Sequence, residues 1–392
     1  MLEPRYLEQA IRDDAIARGK MAFVSGPRQV GKTTLAKSLV TSKNNYHSWD
    51  DEDFRRAWSR SPRAALAKAE RGPVALDEVH KDRRWKSRLK GVFDSDGAGD
   101  GLVVTGSARL DLYRRGGDSL MGRYLPYRLH PFTVAERSLP PSPDEILGAT
   151  KPRFGFDELL RLGGFPEPLF AGSERLAKRW SRLRIERLIA EDVRDIRSVA
   201  DLSGLRVLAD LLPERVGSLL SVNALREDLG VAHGTVTSWL ESFAALYHCF
   251  TLRPYSRRIA RAVRTAPKLY LFDVLRIPPS DAGRRRENLV ALHLLKACDY
   301  WTDVAHGEFE LRFARDKEGR EVDFVILRDN APWLLVECRS SDAEPAPALL
   351  RLREAMGRPR AYQLVARRGY DREYPVLGVR VMDYERFLAG WV

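Results

Sequence analysis

Cysteine is scarce in this 392-residue chain: Cys249, Cys298 and Cys338 lie far apart, with no C-x-x-C pair. That excludes a disulfide framework and a cysteine zinc site, and fits a reducing compartment. The seven histidines fall in no H-x-x-H or H-E-x-x-H spacing, so no metalloprotease motif is present. No apolar run approaches the length of a membrane span, and the first residues, Met1 to Arg5, lack the apolar core of a signal peptide. Internal repeats, low-complexity tracts and an N-K-x-D guanine-recognition element are missing too. The expectation is a cytoplasmic protein with no membrane partner.

Positive charge is plentiful. The chain carries +12 net, with a pI near 9.7, mostly as arginine, which favours an anionic partner, nucleic acid first. Apolar residues make up 44 %, enough to build real cores and to exclude a wholly disordered chain. The length suits two or three domains.

The stretch Gly26-Pro27-Arg28-Gln29-Val30-Gly31-Lys32-Thr33, followed by Thr34, fits the G-x-x-x-x-G-K-[ST] pattern of a P-loop. It follows an apolar strand, Met21–Val24, and opens a helix, Thr33–Val40. Its backbone N–H groups and the helix N-terminus suit phosphate, Lys32 the β- and γ-phosphates, and Thr33 a Mg²⁺ ion. The strand Pro73–Leu76 closes on Asp77-Glu78, which matches a Walker B site. Asp77 is expected to hold Mg²⁺ through water and Glu78 to polarise the attacking water. With no guanine element, the expected cofactors are ATP and Mg²⁺. Thr105-Gly106-Ser107 ends a further buried strand where polar side chains can sense the γ-phosphate. Arg123 is the first arginine-finger candidate and Arg109 the second.

The spacing predicts an amphipathic helix over Tyr6–Ala17, a strand at Tyr46–Asp50 leading into a polar loop, and a helix over Trp85–Phe93. Strands alternating with helices imply an α/β nucleotide-binding domain with a parallel sheet over residues 1–138. A proline-rich linker and a charged helical lid on that domain follow over 139–203. From 204 to 280, three helices (Leu205–Leu212, Ser221–Gly230, Thr235–Leu246) and a strand around Tyr270 read as a winged helix-turn-helix. Beside it, Arg253, Arg257, Arg258, Arg261, Arg264 and Lys268 form a basic run without an acid, the candidate DNA contact. Residues 281–392 read as a separate small α/β domain, beginning with a helix over Glu287–Ala297.

Taken in order, the P-loop, Leu76-Asp77-Glu78, Thr105-Gly106-Ser107, Leu120–Arg123 and Pro131-Phe132-Thr133 resemble a large prokaryotic family. Further matches are Gly163–Glu167, Leu269–Asp273, Glu287–Val290 and Gly319–Phe324. The members of that family are AAA-type ATPases with a C-terminal domain similar to the restriction-endonuclease (PD-(D/E)XK) fold. The resemblance implies ATP hydrolysis, a homo-oligomer, and a winged helix between the ATPase and C-terminal domains. It also implies a nuclease-like set of Glu287, Asp323 and Glu337. Where that fold places a lysine this chain has Arg339, which stays protonated and is poorly suited to act as a base. Three functions are open at this level: an ATP-driven DNA-remodelling enzyme, with structured or branched DNA among its candidate substrates; an ATP-dependent switch acting through a protein partner; and a metal-dependent nuclease.

Overall fold

The computed structural model describes residues 3–96, 99–106, 120–148, 151–192, 201–256, 265–341 and 344–392. Ser107, Arg109, Arg257, Arg258, Arg261 and Arg264 lie outside the described residues. The chain forms two compact units. One comprises Met1–Pro131 with Arg137–Pro140; the other comprises Phe132–Glu136 with Pro141–Val392.

The first unit is built on a five-stranded sheet: β1 (Met21–Ser25), β2 (Tyr46–Ser48), β3 (Val74–Asp77), β4 (Leu102–Thr105) and β5 (Tyr124–Arg128), in the order β2-β3-β4-β1-β5. Every pairing is parallel. β1, β3 and β4 are buried along their whole length, which is why they read as continuous apolar runs. Phe23, Leu76 and Val104 from the strands meet Phe54, Trp58 and Leu89 from helices in one core.

Three elements differ from expectation. The stretch after β2 is helical, Glu52–Arg60 and Pro62–Leu66, because Asp51 and Ser61 cap the two starts and Pro62 suits a first turn. Phe54 and Trp58, four apart, bury the same face. The first helix holds α geometry only over Glu8–Ala10, then widens to a π-helix over Ile11–Ile16. β5 was not expected at all: Pro126 interrupts the strand pattern, and an edge strand tolerates it because one side needs no partner.

The second unit begins with helices Phe156–Leu162, Pro166–Ala171 and Glu174–Arg187. These helices, expected as a lid on the ATPase domain, group with the second unit. Ser181 Oγ donates to Asp273 at 2.6 Å and Arg184 to the Tyr247 carbonyl at 3.2 Å. Helices Leu202–Leu211, Val222–Leu229 and His233–Ala245 follow, then the antiparallel pair β6 (Cys249–Leu252) and β7 (Lys268–Leu271). Ser221 caps the second helix and Gly230, at φ +66°, turns the chain into the third.

A long helix, Ala282–Asp303, leads into a six-stranded mixed sheet. Its strands are β8 (Phe309–Arg315), β9 (Glu321–Arg328), β10 (Ala331–Arg339), β11 (Arg360–Val365), β12 (Asp371–Tyr374) and β13 (Val379–Asp383). The order is β12-β13-β11-β10-β9-β8. Phe132–Glu136 is anchored in this unit, where Lys296 Nζ reaches Glu136 at 2.6 Å and Thr133 at 2.9 Å, both acid and lysine buried.

Candidate functional site

The P-loop leaves the C-terminal end of β1 and turns into the helix Lys32–Leu39. Two glycines and one side-chain residue take left-handed or related backbone: Gly26 at φ +152°, Gln29 at +64° and Gly31 at +103°. At Gly26 the space is also closed, since a Cβ there would sit 2.3 Å from the Leu129 carbonyl oxygen. Lys32 is buried, and its ammonium donates to the carbonyls of Gly26 (3.0 Å) and Pro27 (2.8 Å), so it lies back across the loop. Arg5, itself buried, ties the Val30 carbonyl at 2.8 Å.

The sheet register places Asp77 beside the loop. Thr33 Oγ1 donates to Asp77 Oδ2 at 2.7 Å, bringing together the two residues expected to serve Mg²⁺. An oxygen-only set of hydroxyl and carboxylate fits that hard cation, which keeps several of its own waters. Two residues orient the carboxylate. Tyr46 from β2 donates to Oδ2 at 2.6 Å, and Thr105 donates to Oδ1. Thr105, expected as a sensor of the γ-phosphate, directs its hydroxyl proton to Asp77 in this structure. Tyr46 escaped the sequence reading because a lone tyrosine opening a strand has no motif. Burial first, then the bond to Asp77, raises its phenol well above the usual range.

Glu78 follows with a left-handed backbone, φ +59°, its N–H bonded to the Thr105 carbonyl at 3.0 Å. A non-glycine residue in that region is strained, a feature that clusters at functional sites. Burial raises its pKa, and Lys32 and Lys81 offset part of that rise. Its Oε2 lies 3.6 Å from His80 Nε2 and 3.8 Å from Lys81 Nζ, while Lys81 also reaches Asp50 at 2.8 Å. A partly desolvated carboxylate with raised proton affinity suits a general base.

Arg123 is not part of this constellation. It immediately precedes Tyr124, the register partner of Met21, at the N-terminal edge of the sheet, and its guanidinium holds Asp94 at 2.7 and 3.2 Å. At about 3.3 Å per residue, β1 separates that edge from the P-loop by about 17 Å. As a finger for its own chain's phosphates it is corrected: the sheet puts it at the opposite end.

In the second unit the sequence-selected acids do converge. Glu287, Asp323 and Glu337 meet, joined by Glu321, but a lysine holds them. Lys268 Nζ lies 2.6 Å from Glu321, 3.2 Å from Asp323 and 3.4 Å from Glu287. Asp323 also accepts from the Cys338 N–H at 3.0 Å, and Arg339 pairs with Glu337 at 3.0 Å. Tyr270 donates to Glu287 at 2.7 Å. Among the described residues, no group of three or more His, Cys, Asp or Glu is arranged to hold a metal. Lys268 is 2 % exposed, so its assignment as a DNA contact is corrected: it lies in the core of the hairpin with its charge consumed by acids. Burial opposes its charge, but Asp323, Glu287 and Glu321 outweigh burial and raise its pKa. Burial, with Asp323 next, holds both Glu287 and Glu337 above the ordinary carboxylate range. Arg253 stands just after β6 on the same hairpin.

Residues 18–138 match the family described as an AAA domain. Residues 153–274 match a domain of unknown function (DUF8612) and residues 282–384 another (DUF4143). Uncharacterized proteins from Mycobacterium tuberculosis and Mycobacterium bovis are each 24 % identical over 345 residues, spanning 83 % of this chain and 74 % of theirs. An uncharacterized protein from Methanocaldococcus jannaschii is 24 % identical over 349 residues, spanning 81 % and 74 %. Among solved structures, the Thermotoga maritima RuvB Holliday junction branch migration motor aligns at 17 % identity with a TM-score of 0.29, over 62 % of this chain and 86 % of that one. The first unit thus combines a P-loop and a parallel sheet with a stretch that matches the AAA domain family.

Proposed function

We propose that this chain binds and hydrolyses ATP with Mg²⁺ and uses the turnover to act on DNA, as an oligomer of AAA type. The observation that carries the ATPase reading is the joined set of Thr33, Asp77 and Tyr46 beside Glu78. Lys32 and the loop N–H groups hold the phosphates, while Thr33 and Asp77 hold the metal, which supplies charge neutralisation when bound. Glu78 takes a proton from the attacking water. Mutating Glu78→Gln leaves the carbonyl oxygen but removes the base, so hydrolysis falls by about 10²–10⁴-fold while ATP binding persists. Lys32→Ala weakens binding itself. Single-turnover hydrolysis beside nucleotide affinity checks both; a Glu78→Gln protein with wild-type turnover would sink the assignment.

The DNA reading rests on the three helices and hairpin over 202–271, taken as a winged helix, with the basic run Arg253, Arg257, Arg258, Arg261 and Arg264 as its wing. Salt-sensitive binding to duplex or junction DNA, and ATP turnover raised by it, are the expected results. The C-terminal domain, read as endonuclease-like, is silent as a nuclease, because Lys268 neutralises Glu287 and Asp323 and Arg339 occupies the lysine position.

A further inference from the structure

A cleft of about 850 Å³ opens in the first unit between the helix Glu52–Arg60 and the segment that follows Glu78. Twelve residues line it, seven of them Lys or Arg and two acidic. Both acids are engaged. Asp82 is buried, accepting from Arg88 at 2.6 Å and from the Trp58 indole at 3.2 Å, and Asp53 stands 3.9 Å from Arg56. Arg60, Arg83 and Arg84 are exposed, and among the described residues no carboxylate pairs with them. The half-buried Trp49 lines the same cleft, with its backbone N–H on the Asp77 carbonyl at 2.9 Å. β2 and β3 are parallel neighbours, so Trp49 and Lys81 leave the same carboxyl edge of the sheet that carries the P-loop, the edge where open parallel sheets bind ligands.

We infer that this cleft binds the phosphate backbone of single-stranded nucleic acid. Six of the seven cations are arginines, whose planar forks suit phosphate bidentately; Arg55 and Arg56 hold Glu52 and Arg88 holds Asp82, which leaves Arg60, Arg83 and Arg84 for phosphate beside the Trp49 indole. A concave wall suits a strand better than a flat bilayer. Lys81 links the site to catalysis, since it lines the cleft and also faces Glu78. The inference deepens the DNA reading above and rests on it, but places a contact in the ATPase unit instead of the hairpin.

The test uses the full chain, a fluorescent single-stranded oligonucleotide, anisotropy across a salt series, and the variant R60A/R83A/R84A. Arg83→Glu serves as a second variant, and circular dichroism checks the fold. The expected result is at least a tenfold loss of affinity in the triple variant. Its log affinity against log salt flattens by about 2, from about 0.7 for each of three lost phosphate contacts. Hydrolysis without nucleic acid stays at the wild-type rate. Triple-variant affinity within twofold of wild type, while the wild type binds, overturns the cleft and leaves the hairpin reading standing. No wild-type binding to the single-stranded oligonucleotide overturns the cleft while leaving the duplex and junction reading to its own binding assay, and binding to phosphatidylserine vesicles in place of the oligonucleotide also overturns the cleft.

Discussion

Asp77 Oδ2 accepts from two hydroxyls, Thr33 and Tyr46, and one of them is replaceable without disturbing the P-loop. A hydrogen bond to a charged group contributes about 1.5–3 kcal/mol. Tyr46→Phe keeps the ring over which Lys37 lies at 4.7 Å but removes one of the three hydroxyls that orient the carboxylate. The expected outcome is a Mg²⁺ requirement raised about tenfold or more, with nucleotide affinity nearly unchanged; Mg²⁺ titration of turnover measures it. Glu78 gives a pH signature at the same scale. Its folded pKa is raised, so it stays protonated, and inactive as a base, to a higher pH than a free glutamate. The acid limb of the rate profile is therefore displaced upward, and it is lost in Glu78→Gln. P-loop and Walker B residues were legible because phosphate chemistry needs them contiguous. Tyr46 was not, because its contact to Asp77 is made by the pairing of β2 with β3.

At the scale of elements, β7 is held to β9 and to the helix Ala282–Asp303 through Lys268. Reading charge along the chain counted Lys268 with the wing, since a linear run does not reveal that one member turns inward on a strand. The helices 202–245 were legible from caps and periodicity; the helices after β2 were missed because the acidic residues around Asp50 to Asp53 masked the apolar pair Phe54 and Trp58. Lys268→Met leaves Glu287, Glu321 and Asp323 facing one another, a loss of about 3–5 kcal/mol. Asp323→Asn in that background restores part of the lost stability, and thermal denaturation of the four proteins reads the coupling. The pH dependence follows from the signs. Glu287 and Glu337 bind protons more tightly when folded, so their contribution is complete below the ordinary glutamate pKa and fades as pH rises through the folded values. Lys268 acts oppositely placed on the scale, its contribution full at neutral pH and lost only above the ordinary lysine range. Glu337→Gln accordingly flattens the decline in melting temperature from acidic to mildly alkaline buffer.

For the whole molecule, two units with separate cores predict two calorimetric transitions. Only the first should respond to nucleotide. ATP at a hundredfold its Kd adds about 2.7 kcal/mol to the unit that binds it. A single transition, or one in which both units shift together, would contradict independent folding. The assignment of residues 132–136 and of helices 156–187 to the second unit was not legible, because spatial contacts decide it.

That ownership bears on how such chains can be recombined. The AAA match ends at residue 138, yet Glu136 is the buried counter-ion of Lys296 in the other unit. A crossover at the apparent sequence boundary would import a foreign residue against a buried ammonium. Domains of this design are exchangeable between lineages only if the five residues Phe132–Glu136 stay with the recipient, so the seam that inheritance must respect lies inside the stretch that matches the AAA domain.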